Sequence, residues 1–106
     1  MSSYNTNILA ILHAAALACG LAPADITGRS RRQEAADARN IAAHCLRQAG
    51  YLLSAIGLAL GRHHTTVLAS IRQYQALFQH CPEFRRMAEA AIGIINFPGP
   101  AKNQRA

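Results

Sequence analysis

Five consecutive side chains, Arg62, His63, His64, Thr65 and Thr66, follow Gly61 and open a segment whose apolar residues recur at helical spacing. Each carries a hydrogen-bonding group at a place where a helix starts. An Arg guanidinium can bond guanine or a phosphate, and a Thr methyl can meet a thymine methyl while its hydroxyl bonds a base or phosphate. The imidazole of His64 can donate, accept or stack. A second group, Arg29, Arg31 and Arg32 around Ser30, forms a basic loop. Such a loop can lie across phosphates or enter a minor groove, where narrow A·T-rich tracts attract guanidinium. From Arg29 to Arg62 there are six Arg (29, 31, 32, 39, 47, 62) against two acids, Glu34 and Asp37, a surplus of four.

Other chemistries are poorly served. The adjacent His63 and His64 lack the i, i+4 geometry of a helical metal site, and no Cys/His set has zinc-finger spacing. Five acids, none paired with a His or a nucleophilic Cys, argue against an enzyme. No catalytic residue, cofactor, metal or small-molecule substrate is expected. Cys19, Cys45 and Cys81 are odd in number and widely spaced, so they read as small buried hydrophobes rather than a disulfide framework.

These groups must be positioned by a small body. The chain has 106 residues, 51% of them apolar, and a formal charge of +6, which fits one domain with a polyanionic partner. No apolar run is long enough for a membrane span, and the first residues lack the basic region of a secretory signal. A cytoplasmic, nucleoid-associated protein is expected.

The periodicity predicts an all-α fold, a bundle of about five to six helices. A first helix spans Asn7–Cys19, capped by Asn5, Thr6 or Asn7 and stopped by Gly20. One helical turn follows around Pro23–Ile26, with Asp25 as its cap or as a partner of a nearby arginine. Ser30 and Gln33 match a capping box for a helix over Gln33–Ala49, buried through Ala36, Ile41, Cys45, Leu46 and Ala49. That reading puts Arg31 and Arg32 in its first turn, against the helix dipole. A short helix over Leu53–Leu60 has Gly57 small enough for a close helix crossing. The turn Gly61-Arg62-His63 leads into a long helix to Gln79 with Val67, Ile71, Tyr74 and Phe78 as its core stripe. Pro82 opens a last helix to Ile95, and residues 96–106 read as a flexible tail beyond a domain over 1–95. A short helix, a glycine turn and a longer helix with a polar start make a helix-turn-helix whose second helix suits a major groove. Arg72 and Gln73 lie farther along its polar side, within reach of a backbone, and Ser70 faces either DNA or solvent.

The runs Asp25-Ile26-Thr27-Gly28-Arg29-Ser30-Arg31-Arg32, Ala38-Arg39-Asn40-Ile41-Ala42 and Gly61-Arg62-His63-His64-Thr65-Thr66-Val67-Leu68 resemble the C-terminal DNA-binding domain of the bacterial replication initiator DnaA, over roughly 7–92. The resemblance implies double-stranded DNA as partner, read at a short A·T-rich DnaA box. It implies that Arg31 enters the minor groove with Arg29 and Arg32 on the backbone. Arg47 then matches a basic position at the end of the second helix, Leu53 a backbone-contacting leucine, and Arg62, His64, Thr65 and Thr66 the recognition residues. His63 stands where the family usually has an aspartate that can accept from a base, and one glycine of the turn is missing. No Walker-type glycine loop is present, so an accessory or regulator of initiation without ATPase activity is expected. Two other readings fit the same residues. One is a protein-interaction module docking on the initiator or its regulators, with decayed DNA affinity; the other is an unrelated helix-turn-helix transcription regulator.

Overall fold

The structure, a computed structural model, describes residues 7–96; the expectations for 1–6 and 97–106 lie outside them. Six helices follow one another: α1 (Ile8–Ala18), α2 (Pro23–Thr27), α3 (Gln33–Gln48), α4 (Leu53–Leu60), α5 (His64–His80) and α6 (Pro82–Asn96). Each start has a local cause. Asn7 Oδ1 accepts from Ala10 N (3.2 Å) to cap α1. Asp25 Oδ2 accepts from Ala22 N (3.1 Å), and Pro23 sits at the first position of α2, so the Asp25 carboxylate serves the cap, and only its backbone oxygen meets an arginine, Arg39, at 3.5 Å.

The expected capping box of α3 does not form. Ser30 Oγ instead accepts from Arg32 N at 3.3 Å, and Gln33 Nε2 donates to Asp37 Oδ1 at 2.9 Å. Arg32 is itself the N-cap residue with extended backbone (ψ 147°), so Arg31 and Arg32 precede the helix rather than occupy its first turn. The conflict with the dipole is thereby softened, and Glu34 is the charged residue that takes the first turn.

α3 lies at the centre. Its Ala38, Ile41, Ala42, Cys45 and Leu46 are buried against Ile11, Leu12, Ala15 and Ala16 of α1, Ile26 of α2, Ile56 and Leu60 of α4, Val67 and Tyr74 of α5, and Phe84, Ala88 and Ala91 of α6. Thin alanine faces allow these backbones to approach closely. The bulk comes from an aromatic stack: His44 lies flat on Tyr74 (3.8 Å, 6°), and Phe84 meets Tyr74 edge-on at 5.5 Å. Ala36 and Ala49, expected inside, are only half-buried. On α5, Val67 and Tyr74 are buried while Ile71 and Phe78 are half-buried, and late in α6 Ile92 and Ile95 pack against the core while Ile94 is exposed. The three cysteines are free thiols, Cys45 buried and the other two partly so; burial pushes Cys45 up to about 12 and Cys19 to about 11, so both stay protonated. Among the described residues no helix is long and apolar enough to cross a membrane.

The turn between α4 and α5 is closed by two glycines with different jobs. Gly61 ends α4 in the left-handed region (φ 67°), and Arg62 N then donates back to Gly57 O at 2.9 Å. A Cβ on Gly57 would sit 2.5 Å from Arg62 O. Gly57 is therefore required by the returning turn, not by a helix crossing as its position suggests.

Candidate nucleic-acid interface

The start of α5 presents its polar residues outward. His63 is the N-cap: its Nδ1 accepts from Thr65 N at 3.2 Å and lies 2.9 Å from Thr65 Oγ1. The His64 ring packs against the His63 ring at 4.3 Å. His63, His64, Thr65 and Thr66 are all exposed, as are Ala69, Arg72 and Gln73 farther along the helix. Val67 anchors the opposite side in the core. This is what the amphipathic stripe demands: the residues that hold the helix are not those that it offers.

The basic loop is held beside this turn by two arginines. Arg39, on α3, donates from Nε to Ile26 O (2.8 Å) and from Nη2 to Ser30 O (2.6 Å), with longer contacts to Asp25 O and Gly28 O at 3.5 Å. Arg62 donates from Nη2 to Gly28 O at 2.8 Å and from Nη1 to Leu60 O and Gly61 O at 3.1 and 3.2 Å. Gly28 O thus receives both guanidiniums, one from the core helix and one from the turn before α5. The loop and the head of α5 are tied into one surface across 34 residues of chain. Burial, and then the neighbouring Arg62 charge, lower the Arg39 pKa from its ordinary value.

The positions picked out in the sequence fall into three sets. Arg29, Arg31 and Arg32 are exposed on the loop; Arg32 pairs loosely with Glu34 (3.8 Å), and Arg29 and Arg31 bond no described residue. His63 to Thr66 stand beside them. Arg62, expected to reach DNA, is half-buried with its guanidinium turned onto protein carbonyls, so in this structure it is a brace. Arg47 is exposed at the end of α3, donating from Nη1 to Tyr51 O at 2.8 Å, and Leu53 is half-buried at the first position of α4.

Sequence reasoning left Arg39 without a role. The available signal was an arginine set among alanines (Ala36, Ala38, Ala42, Ala43) in a segment that had to be buried on most sides. Between α3 and α5 a cleft of about 140 Å³ is lined by Arg39, Arg62, Thr66 and Ser70 together with the buried Asn40 and the core residue Val67. Ser70 is half-buried and lines this seam. No group of three His, Cys, Asp or Glu residues that could hold a metal occurs among the described residues.

Residues 8–73 match the family model of the bacterial DnaA protein helix-turn-helix. The match begins with α1 and ends inside α5, so it includes the loop, the turn and the first half of α5, and stops short of α6. No match was found among curated proteins.

Proposed function

Because the chain belongs to the bacterial DnaA helix-turn-helix family, a DNA-binding family, we propose that it binds DnaA-box-like, A·T-rich duplex sites in sequence-specific fashion and serves as an accessory or regulator of replication initiation. It does so without ATP hydrolysis. The first turn of α5, with His63, His64, Thr65 and Thr66, reads base edges in a major groove. Arg31 enters the adjacent minor groove, Arg29, Arg32 and Arg47 neutralise phosphates, and Leu53 rests against the backbone. Arg62 keeps the two elements in register and bonds the backbone where its remaining donors allow.

The observation that carries this reading is the double hold on Gly28 O. It sets the basic loop beside the head of α5 while Arg29, Arg31, His64 and Thr65 remain exposed. A surface that grips two adjacent grooves needs this rigidity, because an unordered loop would have to be ordered on binding at about 1–2 kcal/mol per residue.

The test is a titration of a fluorescent DnaA-box duplex, and of a shuffled duplex, at several salt concentrations. Affinity for the box falls steeply with salt, with a log–log slope of about −4 to −6 if five to seven phosphates are neutralised. The box is preferred over the shuffled duplex throughout. A flat salt response, or equal affinity for both duplexes, overturns the proposal.

A further inference from the structure

Taking α5 as the helix that reads DNA, we propose that His63 is a specificity-determining residue that acts as a hydrogen-bond donor through Nε2–H. It thereby selects a base that offers an acceptor in the major groove, guanine or thymine, over cytosine. The inference rests on the reading above and adds the sign of one contact.

A backbone N–H can only donate, so the Thr65 N–H at 3.2 Å requires a lone pair on His63 Nδ1. In the neutral ring the single proton then sits on Nε2. The Thr65 hydroxyl, 2.9 Å from the same Nδ1, meets a nitrogen that carries no proton, so in that contact it is the donor and shares the single lone pair with the Thr65 N–H. The cap therefore decides what both side chains have left to offer. His63 offers Nε2–H, and Thr65 offers an oxygen with open lone pairs beside a methyl group.

Rotation of the ring would undo the cap. Two donors converge on Nδ1 from one side, and the His64 ring packs on the His63 face at 4.3 Å and 34°. His63 is exposed, and no described residue bonds its Nε2. In the major groove guanine offers O6 and N7 and thymine offers O4, whereas cytosine presents only its N4 amino donor. A fixed N–H at the head of the reading helix meets an acceptor on the first two and a like donor on the third. One neutral hydrogen bond of this kind corresponds to a preference of about five- to tenfold.

Two measurements on the whole chain test this. Long-range ¹H–¹⁵N NMR of the free protein reports the tautomer of each imidazole, and the His63→Asp variant assigns the His63 signals by their loss. The expected result is protonation at Nε2; a proton on Nδ1 overturns the inference. The second measurement is selection of bound duplexes from a random pool by wild type and by His63→Asp. Aspartate caps helices at least as well as histidine, so α5 keeps its start, but it can only accept. Wild type should be depleted of cytosine at one position of its site by about five- to tenfold, and His63→Asp should enrich cytosine or adenine at that position. Identical selected sites for the two proteins overturn this inference and leave DNA binding standing. A wild-type chain that selects no sequence overturns the proposed function, and this inference with it.

Discussion

Replacing Arg39 with methionine removes the guanidinium and keeps most of the packed stem. Two short bonds are lost, to Ile26 O at 2.8 Å and Ser30 O at 2.6 Å, together with longer contacts to Asp25 O and Gly28 O. Bonds from a charged donor contribute about 1.5–3 kcal/mol each when the acceptor stays buried. Arg39 is only half-buried, so water can reach the freed carbonyls, and relief of its repulsion with Arg62 returns part of the loss. A net cost of about 2 kcal/mol is expected, which lowers the melting temperature by about 10 °C in a domain of this size. The second consequence is functional. With the loop untied from α3, two or three residues around Arg31 must be ordered when DNA binds, which weakens box affinity by about tenfold or more. Far-UV circular dichroism melts and duplex titrations measure the two effects. Arg39→Lys, which can hold one carbonyl but not the fork, should fall between wild type and Arg39→Met. A methionine variant that melts within about 2 °C of wild type and binds the box equally well would refute the bracing argument.

Gly57→Ala adds a Cβ 2.5 Å from Arg62 O, a backbone atom that cannot swing away; it should destabilise by about 1–3 kcal/mol although alanine is the better helix former, and chemical denaturation reads the sign. Gly61→Ala places a side chain at φ 67° and should cost about 1 kcal/mol by the same assay. Arg31→Ala should reduce the salt slope of box binding by about 1 and weaken A·T-rich sites more than G·C-rich ones; an equal loss at all duplexes would place Arg31 on the backbone instead. Burial lowers the His44 pKa from 6.5, so the unfolded chain takes up the proton first. The stability contributed by neutral His44 is therefore complete above about 6.5 and is lost as pH falls through the unfolded value toward the folded one. His44→Phe keeps the flat contact with Tyr74 and should flatten that part of the stability–pH curve; an unchanged curve would assign the dependence elsewhere.

Much of the fold was legible because its signals are short-range. The apolar spacing of Val67, Ile71, Tyr74 and Phe78, Pro23 and Pro82 as helix openers, and Gly61 as a stop are each decided within a few residues, and α4 runs from Leu53 to Leu60 as its pattern predicts. What misled was also local. Ser30 and Gln33 have capping-box spacing, yet the chain starts α3 two residues later than a Ser30 cap requires, because Arg39 pulls Ser30 O toward itself and the Asp37 carboxylate takes up Gln33. The same holds at Gly57, where the constraint comes from a carbonyl five residues ahead rather than from another helix. In the candidate site, exposed residues such as His64 and Thr65 were readable from position on an amphipathic helix. Arg39 and Arg62 were not, since the partners through which they brace the loop are carbonyls 9 to 34 residues away and carbonyls leave no trace in side-chain types.

The choice of carbonyls as partners bears on function. A loop held by carboxylates would be equally rigid, but each ion pair would cancel one of the charges that draw in a polyanion. Arg39 and Arg62 instead bond backbone oxygens of Ile26, Gly28, Ser30, Leu60 and Gly61, which are polar but carry no net charge. The surplus of four positive charges between Arg29 and Arg62 is thus kept in full while the surface is made stiff. The cost is visible as the mutual repulsion that, after burial, depresses the Arg39 pKa. An approaching phosphate backbone relieves that repulsion, so part of the electrostatic strain held in the free protein becomes binding free energy, and duplex DNA should raise the melting temperature more at low salt than at high.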